Sequence, residues 1–215
     1  MSKIKICGIR RPEDIVIANR YRPDYIGFVF CRKSRRFISP EDAAALRRDL
    51  SPEIKPVGVF LDNTDEEILE AVSSGAADLV QIHETAETDI ERIRGKLMKN
   101  GKKTDIIRAV SVRNEQSIRE AKESRADYIL LDNGRGGTGM SFDWQYLKDI
   151  GRDFFLAGGL SAENLEEALV RFHPYAIDLS GGAETDGVKD PEKVSRIVEI
   201  VRSFNKREES GRMMT

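Results

Sequence analysis

Lys3-Ile4-Lys5-Ile6-Cys7-Gly8-Ile9-Arg10-Arg11-Pro12-Glu13-Asp14 reads as an alternating strand, a glycine turn and the acidic, proline-led start of a helix. Alternation puts Ile4 and Ile6 on one face and Lys3, Lys5 and Cys7 on the other. Two lysines and a thiol make a poor apolar face. That side is therefore expected to line a site, with Cys7 at the end of the strand and Gly8 letting the backbone turn away. The competing reading is a buried structural cysteine, because free cysteine is among the most buried residue types.

The same unit repeats along the chain. Further strands are expected at Asp24 to Phe30, Val57 to Leu61, Asp78 to His83, Thr104 to Val110, Asp127 to Asp132, Phe154 to Ala157 and Ala176 to Ser180. Helices are expected from Pro12 to Tyr21, from Ser39-Pro40-Glu41-Asp42 to Leu50, from Asn63-Thr64-Asp65-Glu66 to Ser74, and over Thr88 to Lys99. The remaining four are Asn114 to Glu123, Trp144 to Ile150, Ser161 to Phe172 and Asp190 to Phe204. Strand and helix alternating eight times predict an α/β fold, a single (β/α)8 TIM barrel. The alternative is a doubly wound open sheet, but no Gly-x-Gly-x-x-Gly follows the first strand. One domain is expected over residues 1–205, with a polar, frayed tail over 206–215.

The 215 residues are 40% hydrophobic and 33% charged, with a formal net charge of -2. This balance gives no electrostatic case for nucleic acid or a membrane surface as partner. Only Cys7 and Cys31 are present, and no apolar run approaches the ~20 residues of a membrane span. With no signal-peptide pattern after Met1, a cytoplasmic setting is expected.

In such a barrel the chemistry sits at the C-terminal ends of the strands. Cys7, His83, Arg108, Asp132 and Ser180 are the candidates there. Asp132 closes the apolar run Tyr128-Ile129-Leu130-Leu131, a setting that suits a general acid, the competing role being a cap on the loop. The first and sixth strands lie far apart around the ring, so Cys7 and Asp132 can address one substrate from opposite sides as base and acid. Gln81 and His83 face inward, where a lone histidine serves more readily as a hydrogen-bonding wall, and His173 falls in a surface helix. Three turns, Gly136-Gly137-Thr138-Gly139, Ala157-Gly158-Gly159-Leu160 and Ser180-Gly181-Gly182-Ala183, offer backbone N–H groups to a phosphate. No cluster of His, Cys and carboxylate recurs at strand ends, so no metal or other cofactor is expected.

Several of these stretches together resemble phosphoribosylanthranilate isomerase. They are Lys5-Ile6-Cys7-Gly8-Ile9, Gly27-Phe28-Val29-Phe30 with Ser34 and Arg36, Val57-Gly58-Val59-Phe60, Gln81-Ile82-His83 and Leu130-Leu131-Asp132. The remainder are Gly136-Gly137-Thr138-Gly139 with Phe142-Asp143-Trp144, Leu156-Ala157-Gly158-Gly159-Leu160 with Asn164, Asp178, and Gly187-Val188-Lys189-Asp190. The resemblance implies a small phosphoribosyl substrate, an Amadori rearrangement, and action as a monomer or homodimer. It makes Asp132 the acid that opens the furanose ring and Cys7 the base at C2′. Lys5, Arg36, Gln81, His83 and Asp178 would bind substrate, Arg36 taking the anthranilate carboxylate. Gly137, Gly139, Gly158, Gly159, Gly181 and Gly182 would hold the phosphate. A thiol acting as base needs help to ionise, and Lys5, one pleat below Cys7 and expected to pair with Asp178, is the candidate cation.

The chain departs from the family at Glu84, where glycine is usual, at Gly181 and Ala183 in place of serine and valine, and at Asn133 in place of threonine. A histidine-pathway isomerase runs the same rearrangement on a similar barrel but with an aspartate base on the first strand, where this chain has Cys7. A non-catalytic phosphate-binding barrel is the remaining alternative.

Overall fold

The strand that opens the chain, β1 (Lys3–Cys7), pairs in parallel with β2 (Tyr25–Val29) on one side and β8 (Ala176–Leu179) on the other. This double pairing closes an eight-stranded parallel barrel in sequence order. The computed structural model describes residues 1–132 and 150–212. Between β2 and β8 run α2 (Pro40–Arg47), β3 (Lys55–Phe60), α3 (Asp65–Ser73), β4 (Leu79–His83), α4 (Glu87–Lys99), β5 (Asp105–Ser111) and α5 (Glu115–Glu123). They are followed by β6 (Tyr128–Asp132), β7 (Phe154–Leu156) and α6 (Leu165–Phe172), while α1 (Pro12–Tyr21) joins β1 to β2. The helix expected from Trp144 and the turn Gly136-Gly137-Thr138-Gly139 lie outside the described residues.

Local chemistry starts the helices where the sequence places them. Asp14 accepts from the backbone N–H of Arg10 and Arg11 at 3.0 and 3.1 Å, and Ser39 and Asn114 cap α2 and α5. Thr64 and Glu67 form a reciprocal capping box on α3. Two layers of packing follow from strand alternation. Ile4 and Ile6 belong to the outer layer under the helices, with Ile15 and Ala18 of α1. Inside the barrel, Phe155 is fully buried, with Tyr25, Tyr128 and Tyr175 around it at ring-centroid distances of 5.5, 5.7 and 5.6 Å. Lys3 donates to Tyr175 Oη at 2.9 Å, completing the floor at the N-terminal ends of the strands.

Three elements differ from the sequence reading. The last helix, α7 (Pro191–Arg212), does not stop at Phe204 but continues through the supposed tail and across the boundary at residue 205. Helix α6 begins at Leu165, because Asn164 is spent holding the preceding turn: it accepts from Ser161 N and donates to Gly159 O, both at 2.9 Å. After β8, a 3-10 turn over Gly181–Ala183 leads into a hairpin of β9 (Glu184–Thr185) and β10 (Val188–Lys189) that was not expected. Its two-residue turn, Asp186-Gly187, has φ of 52° and 77°, the positive values that Asp-Gly accommodates. Among the described residues no helix is long and apolar enough to cross a membrane.

Candidate active site

A cavity of about 560 Å³ opens at the C-terminal mouth of the barrel. Cys7, Arg36, Gln81, His83, Asp132, Gly158, Gly159, Asp178 and Gly181 all line it. Cys7 ends β1 and Asp132 ends β6, with β7 and β8 between them. Thiol and carboxylate thus face one space from different sides. Val29, Val59, Leu130 and Ala157 add an apolar wall that the sequence reading did not single out.

The glycines around Cys7 are required by close approach. A Cβ at Gly27, the register partner of Cys7, would stand 2.7 Å from Cys7 Sγ. Gly8 has φ of 88°, and a Cβ there would stand 2.4 Å from Cδ of Arg36, whose stem lies across it.

Lys5 and Asp178, also register partners, form the ion pair expected of them, Nζ to Oδ2 at 2.8 Å. Lys5 is 0% exposed and does not line the cavity, so the structure corrects its expected contact with substrate to a place beneath Cys7 and Asp178. Burial pulls the Lys5 ammonium down, but Asp178 and Cys7 outweigh it and hold it raised. Burial pushes the Cys7 thiol up, and Lys5 and Lys189 offset this only in part. The expected net lowering of the thiol therefore does not occur.

Burial keeps His83 lowered, and therefore neutral, against the opposing charge of Asp132. Its Nε2 lies 2.8 Å from Gln81 Nε2, which fits a neutral ring accepting from the amide. Gln81 Oε1 and Asp178 Oδ1 are then buried acceptors without a partner among the described residues. Buried acceptors of this kind call for O–H or N–H donors.

Gly158 and Gly159 adopt φ of 88° and 65°, turning the chain after β7 along the cavity. Gly182 does not line it. A Cβ at Gly182 would stand 2.1 Å from the carbonyl oxygen of Leu160, so this glycine lets the loops after β7 and β8 abut. Gly137 and Gly139 lie outside the described residues. Arg108 was misplaced by the sequence reading. It lies outside the barrel, donating to Thr85 O at 3.2 Å, Glu87 at 2.6 Å and Glu120 O at 3.3 Å. Glu84 has φ of 48° and pairs with Arg113 at 3.4 Å, away from the cavity.

Arg36 reaches the cavity with a partner that sequence reasoning missed. Its Nε and Nη2 donate to the two oxygens of Glu184, each at 2.7 Å. Lys189 donates to the same carboxylate at 2.8 Å. Burial alone would raise Glu184, but these two cations bring it down to about 2. The signal available in the sequence was the Asp186-Gly187 hairpin turn, which sets Glu184 opposite Lys189.

Comparison with known proteins gives a consistent result. The family model for N-(5'phosphoribosyl)anthranilate (PRA) isomerase matches residues 4–200. The N-(5'-phosphoribosyl)anthranilate isomerase of Clostridium acetobutylicum is 39% identical over 213 residues, covering 95% of this chain and 100% of that protein. Among solved structures, a monomeric form of the dimeric enzyme from Thermotoga maritima matches with a TM-score of 0.81 at 33% identity, over 94% of this chain and 100% of that one. A phosphoribosyl anthranilate isomerase in complex with reduced 1-(o-carboxyphenylamino)-1-deoxyribulose 5-phosphate matches with a TM-score of 0.80 at 34% identity, over 94% and 100% of the two chains.

Proposed function

Because the chain belongs to the phosphoribosylanthranilate isomerase family, we propose that Cys7 and Asp132 are the base and acid of its reaction. That reaction is the Amadori rearrangement of N-(5-phospho-β-D-ribosyl)anthranilate to 1-(2-carboxyphenylamino)-1-deoxyribulose 5-phosphate, a step of tryptophan biosynthesis. The observation that carries the assignment is the presence of both groups on the wall of one cavity, beside the Gly158-Gly159 turn and Gly181.

Asp132 gives its proton to the furanose ring oxygen as the C1′–O bond breaks and the anthranilate nitrogen forms a C1′=N bond. The Cys7 thiolate then removes the C2′ proton, and the electron pair forms C1′=C2′ as the nitrogen regains its lone pair. The resulting enolamine takes a proton at C1′ and releases that of its 2′-hydroxyl, leaving the ketone. Each positioned proton transfer contributes about 10²–10⁴ in rate. Backbone N–H groups of Gly158, Gly159 and Gly181 hold the phosphate, joined by Gly137 and Gly139, while Gly182 lets the two loops that carry them abut. Gln81 Oε1 and Asp178 Oδ1 accept from sugar hydroxyls, with His83 holding the Gln81 amide. Lys5 favours the thiolate from below, and Arg36 takes the aromatic carboxylate.

The enzyme is read as working in the cytoplasm, a setting supported by two buried cysteines that both remain free thiols. It acts as a monomer or a homodimer, which light scattering decides. The decay of phosphoribosylanthranilate fluorescence, with substrate generated in situ, tests the chemistry. Cys7→Ala and Asp132→Asn are each expected to lower kcat by about 10²–10⁴ while retaining a bound product analogue. Near-normal turnover by either variant would remove that residue from its role.

A further inference from the structure

A guanidinium has two forked edges, Nε with Nη2 and Nη1 with Nη2. Glu184 occupies the first edge of Arg36 with both oxygens at 2.7 Å, which leaves the edge carrying Nη1 for a ligand. Glu184 is 7% exposed and is itself held from behind. Lys189, 3% exposed, donates to its carboxylate at 2.8 Å and to Ser180 O at 3.2 Å. Lys193 donates to the Glu184 carbonyl at 2.7 Å. On its other side the Arg36 stem crosses Gly8 so closely that a Cβ there would be 2.4 Å from Cδ. The guanidinium is thus clamped between the turn after β1 and the hairpin after β8. The half-buried Arg36, the buried Lys189 and, at 3.7 Å, the exposed Arg35 converge on this one carboxylate and leave the clamp net positive, suited to a ligand carboxylate.

We propose that Glu184 is a positioning residue for the isomerase. Through its fork on Arg36 it presents the second guanidinium edge to the aromatic carboxylate, and so sets selectivity for an ortho-carboxylated aryl amine. The proposal rests on the reading of Arg36 as the carboxylate-binding group. Fixing a long side chain before the ligand arrives removes an ordering cost of binding. The low pKa of Glu184 means that the fork stays ionised throughout the neutral range.

The test compares two product analogues, the reduced carboxyphenylamino compound and its phenylamino counterpart lacking the carboxylate. The variant pairs Glu184→Met with Lys189→Met, which preserves the net charge of the clamp and leaves no buried lysine unpaired. Expected is a roughly tenfold loss of preference for the carboxylated analogue, with binding of the phenylamino analogue nearly unchanged. Glu184→Gln with Lys189→Met keeps one acceptor for Arg36 and is expected to lie between that variant and wild type. It also serves if the double methionine variant fails to fold. Equal weakening of both analogues would show a merely structural role and overturn the proposal. Arg36→Met separates the two readings. If it leaves the preference intact, Arg36 does not bind the carboxylate. If it abolishes the preference while the Glu184 variants retain it, Arg36 keeps its role and Glu184 loses its own.

Discussion

Cys7 stands between opposing forces, and their balance makes a pH prediction. Its burial disfavours the thiolate, while the ammonium of Lys5, fixed by Asp178 at 2.8 Å, favours it. Burial wins, so the thiol titrates above its ordinary value. A base must be deprotonated to act while Asp132 must still hold its proton, so the thiol's own titration is best read as thiolate absorbance, which is expected to grow only on the alkaline side of an ordinary cysteine. Lys5→Met removes a cation that lowers the thiol and leaves Asp178, which raises it, unpaired. Both changes push the same way, so the thiolate absorbance moves to higher pH. An unmoved absorbance transition in Lys5→Met would show that Lys5 does not assist ionisation. The Lys5–Asp178 pair was legible in the sequence because both lie at inward positions of adjacent strands. The fork between Arg36 and Glu184 was not, since its partners are 148 residues apart and meet only through a hairpin.

Elements place these side chains, and glycine substitutions at two positions separate position from composition. Gly182 has the Leu160 carbonyl oxygen 2.1 Å from where its Cβ would stand, and backbone cannot swing aside as a side chain does. Gly182→Ala must push apart the loops after β7 and β8. A destabilisation of about 1–3 kcal/mol is expected, as for overpacking elsewhere. A raised KM should accompany it, because the phosphate-binding turns lie on those loops. Gly95, inside α4, has nothing within 4 Å of its Cβ position. Gly95→Ala should therefore stabilise the protein by about 0.5–1 kcal/mol with kinetics unchanged. Denaturant titration with steady-state assays on both variants measures the contrast, and equal effects would show that the abutment is unimportant. The same scale explains what the sequence hid. Strand period alone marked β1, where lysine and isoleucine alternate, yet it misassigned Arg108, whose strand runs on to Ser111 and whose register partners are Ile82 and Ile129. A basic residue near a strand's end looked like a site residue because the side of the sheet it faces depends on a phase that apolar neighbours on both sides conceal.

At the scale of the whole molecule the ring must be closed where the chain starts, and α7 does part of this. Ser2, just before β1, is 7% exposed, and its backbone N–H and C=O both pair with the side chain of Asn205, each at 2.8 Å. The polar run after Asn205 has no apolar period, and its ion pairs, such as Arg207 with Glu166, are largely exposed. Pairs of that kind contribute about 0–1 kcal/mol each. Its helical continuation has another use: the carbonyls of a helix's last turn lack intrahelical partners, so that turn frays. Residues beyond Asn205 move the fraying end away from the clamp. Asn205→Ala leaves two backbone groups of Ser2 unpaired and is expected to cost about 2–6 kcal/mol, at about 1–3 kcal/mol per unsatisfied group. Ending the chain after Asn205 should cost nearly as much, by letting the clamp fray. In the Asn205→Ala background the same truncation should cost only the few tenths of a kcal/mol expected of exposed pairs, because the clamp it protects is already gone. Calorimetry of the four proteins measures this, at about 2–4 °C in Tm per kcal/mol for a domain of this size. Strict additivity of the two changes would mean that the last turns of α7 stabilise the barrel by contacts of their own.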